Sequence, residues 1–144
     1  MIERAQIANL IPHAGDMCLL DRVKSWSASA ICCTTASHLL PHHPLAVNGI
    51  LPSACGVEYA AQAMAVHGAL GGATHGRPQR GYLISVRALL ITLPRLDTLQ
   101  EQLIVEATCL AGEGSQMSYH FILSSAGVTV LQGRAAVVLD AARP

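Results

Sequence analysis

Residues Pro41–Leu70 read PHHPLAVNGILPSACGVEYAAQAMAVHGAL. From about Ser53 to Leu70 the pattern is a helix of small apolar residues, with Ser53 placed to cap it and Gly71 and Gly72 ending it. Glu58 and Gln62, one turn apart, fall on the same side of that helix, the side expected to be buried. A carboxylate in so apolar a segment costs free energy unless it has partners or a task. Upstream runs a loop, His38–Pro52, punctuated by Pro41, Pro44, Gly49 and Pro52 and carrying His38, His42 and His43. A histidine and a carboxylate at the two ends of one loop-helix unit form a natural acid/base pair.

Composition bounds what such a pair can serve. The 144 residues suit a single domain, 1–144, with a real core. Only 12% of residues are charged and 51% are apolar, too few charges to clothe a monomer, so part of the surface is expected to lie against another copy. A membrane span needs roughly 18 consecutive apolar residues, and Glu58, Gln62 and His67 interrupt the most apolar stretch. The opening MIERAQIANLIPHAGD is unlike a signal peptide, and a cytoplasmic location is expected. Zero net charge and few aromatic residues argue against nucleic acid as a partner.

The five cysteines, Cys18, Cys32, Cys33, Cys55 and Cys109, show no C-x-x-C spacing and read as core thiols. Cys55 lies near the helix start, where a thiolate would be stabilised, but no basic side chain adjoins it in sequence. No metal or cofactor is expected: His38, His42 and His43 have neither a cysteine nor a second carboxylate at ligand spacing.

In chain order, Ile2–Leu10 reads as a short amphipathic helix, broken by Pro12 and Gly15. Met17–Val23 reads as a strand, and WSASAICCTTAS as the return of a hairpin turning near Ser25–Ser29. His13 reads as a loop histidine bonded to backbone, with a part in chemistry as the alternative. After the helix, residues 71–80 form a polar loop with His75 in it, a lid being one reading. Gly81–Thr92, Gln100–Leu110, Met117–Ser124 and Val128–Leu139 are strands whose short links suit an antiparallel meander; His120 sits within one of them. The outcome is an α+β fold, an antiparallel sheet wrapped about a long central helix. Between Glu58 and Asp97 there is no acid, while Arg77, Arg80, Arg87 and Arg95 fall there; they read first as ordinary solvated strand-edge charges, the alternative being a basic strip that steers an acidic partner or the phosphates of a pantetheine-bearing substrate.

Two phrases resemble a known family. IPHAGDMCLLDRV, residues 11–23, resembles the opening signature of the hotdog-fold 3-hydroxyacyl-acyl-carrier-protein dehydratases, a Leu-Pro-His phrase followed by a Leu-Leu-(Ile/Val)-Asp-Arg-Val strand. LPSACGVEYAAQAMAVHGAL resembles their central helix, and its EYAAQAMA wording is closer to the divergent branch of aryl-polyene-type clusters. The resemblance implies a homodimeric hotdog fold with the active site at the dimer interface, where a loop histidine of one protomer faces the helix carboxylate of the other; a higher oligomer of such dimers stays open. Glu58 matches that carboxylate and Gln62 the amide after it. The family's His-Phe-Pro-Gly phrase is represented by His43-Pro44-Leu45, one residue farther from Glu58 and without the Phe-Pro-Gly; His38 is the alternative.

The implied substrate is a 3-hydroxyacyl thioester on an acyl carrier protein or coenzyme A. Its dehydration, yielding a trans-2-enoyl thioester, requires a base at the carbon next to the thioester and an acid for the departing hydroxyl. His43 is the expected base, and Glu58, kept protonated by burial, the expected acid. Backbone N–H groups of Ser53, Ala54 and Cys55 would polarise the thioester carbonyl, and Gln62 would position Glu58 or the hydroxyl. A hotdog thioesterase, with Glu58 activating water, is one alternative; a catalytically silent acyl-binding or accessory subunit, suggested by the missing Phe-Pro-Gly, is the other.

Overall fold

The computed structural model of the chain describes residues 1–11, 13, 15–71, 80–113 and 116–140. Strand β1 (Ile2–Glu3) leads into helix α1 (Arg4–Leu10), whose start is held by a reciprocal pair of bonds between Glu3 and Gln6. Hairpin β2 (Arg22–Trp26) and β3 (Ala30–Thr35) turns over Ser27, whose hydroxyl accepts the N–H groups of Ser29 and Ala30. The strand expected at Met17–Val23 starts later. Gly15–Met17 is a turn of 3-10 helix, and residues 18–20 run through the core without strand pairing.

Loop 36–52 contains a 3-10 turn at Ser37–Leu39 and a small bridge, Val47 to Ile50. Asn48 and Gly49, both at positive φ (54° and 76°), close that bridge, which an Asn-Gly pair suits. Helix α2 (Gly56–Gly71) starts three residues later than expected. Ser53–Cys55 forms a 3-10 turn before it, and the buried Ser53 hydroxyl has no hydrogen-bond partner, so Ser53 is not its cap.

Strands β4 (Arg80–Ile91), β5 (Leu103–Glu113), β6 (Gln116–Ser125) and β7 (Val128–Asp140) complete one antiparallel sheet in the order β1-β2-β3-β5-β6-β7-β4. Only β5, β6 and β7 form a meander. The link after β4 is no hairpin: it carries the chain from the sheet's edge back to β3, which pairs with β5. This link is anchored at the foot of α2, where Leu96 N–H bonds Leu51 C=O (2.8 Å), Ser53 N–H bonds Pro94 C=O (3.0 Å) and Leu51 N–H bonds Asp97 Oδ1 (2.9 Å). The Arg95 guanidinium, with help from Leu51 N–H, holds the Asp97 carboxyl down at about 2.

Helix α2 is buried nearly all round, as a helix that a sheet wraps must be. Its small residues, Ala60 and Ala63 among them, let the sheet approach until Val105, Tyr119, Phe121, Leu123 and Leu131 close over it with at most 1% exposure. Further along, His67 Nε2 donates to Ser27 C=O (2.8 Å) while its Nδ1 accepts from Tyr119 (2.7 Å), joining the helix to the β2–β3 turn and to β6. No described helix is long and apolar enough to cross a membrane. The lid considered at residues 71–80, with His75 and Arg77, falls almost wholly outside the described residues.

The closest approach is at Gly56, where an added Cβ would lie 2.5 Å from Leu131 Cδ2 and 2.9 Å from Leu123 Cδ2. Both leucines are fully buried and have no room to retreat. Gly56→Ala is therefore expected to cost about 1–3 kcal/mol, read as a lowered urea midpoint with unchanged m-value. A variant as stable as the parent would mean that the helix start can shift freely.

Candidate active site

One turn apart on α2, Glu58 and Gln62 have different surroundings. Gln62 is 1% exposed and every polar atom of its side chain is engaged. Its Oε1 accepts Leu19 N–H (2.9 Å), and its Nε2 donates to Met17 C=O (2.7 Å) and, more weakly, to Glu58 Oε1 (3.4 Å). Because the chain at Met17–Leu19 has no strand neighbour, this carboxamide takes the place of one. Glu58 stands at the rim, its side chain 36% exposed, and its Oε1 lies 3.1 Å from His13 Nε2. The burial expected for Glu58 is thus absent in the single chain. His13 is itself only 29% exposed, and its Nδ1 is buried without a partner among the described residues.

The two histidines expected to face Glu58 do not meet it within the chain. His43 is 5% exposed, and its Nδ1 accepts Leu45 N–H (3.0 Å). That leaves Nε2 to donate to Tyr59 Oη (2.9 Å), Tyr59 to donate to Ser37 Oγ (2.9 Å), and Ser37 to donate to Leu19 C=O (2.6 Å). Thr35 donates to the same carbonyl at 2.5 Å. The proton directions close consistently, so both imidazole nitrogens are committed to structure. Tyr59 follows Glu58 directly, and successive helical side chains point about 100° apart, so a histidine on Tyr59 is turned away from the carboxylate. His38, 1% exposed, donates from Nε2 to Leu99 C=O (2.8 Å) and leaves Nδ1 buried and unpartnered.

Burial lowers the pKa of both imidazoles. At His43 the nearby His38 adds to the effect; at His38 the Leu99 carbonyl opposes it. Burial also pushes the Tyr59 phenol up to about 12 and raises the Cys55 thiol, which disfavours a thiolate there.

The amides expected to polarise a carbonyl are mostly spent. Ser53 N–H goes to Pro94 C=O and Cys55 N–H to Pro52 C=O (both 3.0 Å). Of these three, the N–H of Ala54, an exposed residue, shows no backbone partner outside its own turn among the described residues. Within the chain, the imidazole that reaches Glu58 comes from the segment before β2. The clue in sequence was the Ile-Pro-His phrase at residues 11–13, which spacing along the chain could not connect to a residue 45 positions away.

A sequence profile of the family described as ApeP-like, the ApeP dehydratases, matches residues 5–142. No curated protein matches. Among solved structures, the dehydratase heterocomplex ApeI:P from Xenorhabdus doucetiae superposes with a TM-score of 0.79 at 21% identity, over 94% of this chain and 91% of that one. A hypothetical thioesterase with coenzyme A from Streptococcus pneumoniae TIGR4 gives 0.64 at 10% identity, over 85% and 90%. AziG of S. sahachiroi gives 0.60 at 14%, over 92% and 99%. What these structures share with the chain is the hotdog fold.

The buried imidazoles make stability depend on pH. With native pKa values below the ordinary 6.5, His38 and His43 stay neutral where the unfolded chain binds protons. Their contribution is complete above about pH 6.5 and falls as pH drops below it, by at most about 1.4 kcal/mol per pH unit per site. Urea midpoints measured on either side of pH 6.5 should show that fall. The double variant His38→Asn/His43→Asn should show a flatter profile, and an equally steep one contradicts the assignment.

Proposed function

Because the chain belongs to the ApeP-like dehydratase family, we propose that it removes water from a 3-hydroxyacyl thioester, carried on an acyl carrier protein or coenzyme A, to give the trans-2-enoyl thioester. The observation that carries the mechanism is the 3.1 Å contact between His13 and Glu58. In this reading His13 replaces His43 and His38 as the base, and Glu58 keeps the role of acid. The imidazole takes the proton from the carbon next to the thioester, and the carboxylic acid protonates the departing hydroxyl. One proton resides in the pair before the reaction and one after it; it returns from imidazolium to carboxylate along their hydrogen bond while water leaves. Gln62 fixes the carboxylate through Oε1, leaving Oε2 for substrate. Ala54 N–H is the amide available to the thioester oxygen.

The half-open setting of Glu58 supports a second part of the proposal: the site is completed by another copy. Strand β4 is a twelve-residue edge paired only with β7, and it exposes Leu83 (41%), Leu90 (62%) and Ile91 (46%). Such an edge invites a partner strand. We take that partner to be a second copy of the chain, although ApeI:P from Xenorhabdus doucetiae is a heterocomplex. Five free cysteines support action in the reducing cytoplasm.

Incubation with a 3-hydroxyacyl thioester should raise the absorbance of the conjugated enoyl thioester, whereas free acid plus thiol would indicate a thioesterase. His13→Ala and Glu58→Gln should each lower kcat by about 10²–10⁴ without loss of fold; full activity in His13→Ala would remove the proposed base. The protein should elute as a dimer in light-scattering chromatography and Leu90→Asp as a monomer with lower activity. A fully active monomer would refute the shared site.

A further inference from the structure

The face of the sheet turned away from α2 carries an unusual concentration of positive charge. Tyr119, Phe121, Ala135 and Val137 face the helix, so the alternate residues Ser118, His120, Arg134 and Ala136 face outward. Across the strands the register places Arg87 of β4 opposite Arg134 of β7, then His120 of β6, Thr108 of β5 and Ala30 of β3. That row contains no acid. Outside it, Glu106 lies opposite Ile122 and Glu113 opposite Gln116.

Five arginines have described side chains. Arg4, Arg22 and Arg95 are ion-paired with Asp21, Glu3 and Asp97. The two for which no ion pair is seen among the described side chains, Arg87 and Arg134, are the two that the register sets against each other. Like charges directly opposed on neighbouring strands destabilise a sheet. In a chain of zero net charge this is not a by-product of a basic composition.

The backbone holds Arg87 in place. Strand β4 bulges between Arg87 and Leu90, with Ala88 at φ 52°, a conformation unfavourable for alanine. The bulge sits over Gly133, where a Cβ would come within 3.3 Å of the Arg87 carbonyl oxygen and 3.4 Å of Leu89 Cα. Beside the two guanidinium groups is a cleft of about 380 Å³ lined by Ser85, Arg87, Gln116, Ser118 and Arg134.

We propose that this cleft binds a phosphate-type oxyanion. Two guanidinium forks, the Ser85 hydroxyl and a carboxamide offer several donors to one tetrahedral anion, and its charge relieves the repulsion between the arginines; the Ser118 hydroxyl donates to Ala111 C=O (3.4 Å). The site lies on the face opposite the helix that carries Glu58, so it goes beyond the dehydration proposed above. The anion is either free phosphate or the phosphate of an ester such as a phosphopantetheine arm.

Isothermal titration of the full chain with inorganic phosphate, 4′-phosphopantetheine and unphosphorylated pantetheine tests the site, with chloride matching the ionic strength. Both phosphate compounds should bind and pantetheine should not; tighter binding of the ester than of phosphate would assign the source. Arg134→Gln, and independently Arg87→Gln, should weaken binding by about ten- to a hundredfold while leaving turnover of a short 3-hydroxyacyl thioester unchanged. Both variants should melt no lower than the parent in phosphate-free buffer, since each removes one of two opposed charges. Undiminished binding in both variants, or heats no larger than those of chloride, overturns the proposal whether or not the dehydratase reading holds.

Discussion

The peptide groups of Met17 and Leu19 pass through the core with no strand beside them, and the structure depends on how they are satisfied. Gln62 reads them as a neighbouring strand would, taking Leu19 N–H and Met17 C=O, while the hydroxyls of Thr35 and Ser37 meet at Leu19 C=O. Leaving such a buried group unmet costs about 1–3 kcal/mol, and four side-chain bonds prevent it here. The segment so held is the one that extends from His13. Through the same carboxamide it is tied to Glu58, so the core bonds that let the chain cross the interior also set the imidazole beside the carboxylate.

Two histidines of one chain thereby take opposite parts. His43 starts a proton-ordered relay through Tyr59 and Ser37 that ends on Leu19, and both its nitrogens are spent in doing so. His13 keeps one nitrogen on Glu58, and the other has no partner among the described residues. An imidazole whose lone pair and N–H are both bonded inside a packed core lends rigidity; one at the rim of a half-exposed carboxylate is held by a single contact.

Periodicity revealed the long helix, six of the seven strands and the shared face of Glu58 and Gln62, because these rest on contacts within a few residues. It did not reveal what distant chain segments decide. Met17–Val23 has the composition of a strand, yet its first half is claimed by side chains from residues 35, 37 and 62. The four C-terminal strands look like a meander because their links are short, yet β3 takes the place beside β5 and sends β4 to the edge. Of the histidines, His43 stands out in sequence because it opens a His-Pro-Leu phrase like the family's; in the folded chain it bonds Tyr59, and His13, 45 positions from Glu58, is the one brought to the carboxylate. The family resemblance found the right fold; it gave no account of a loop whose Phe-Pro-Gly is missing.

The position of β4 also shapes how the molecule assembles. Its only partner, β7, begins 37 residues after β4 ends, so a chain emerging from the ribosome holds this apolar strand unpaired until most of the sheet has been made. Pairings over such separations lengthen the search for the native topology. They also leave an adhesive ribbon open to neighbouring nascent chains in the interval. Until β7 docks, nothing else in the described sheet pairs with that strand.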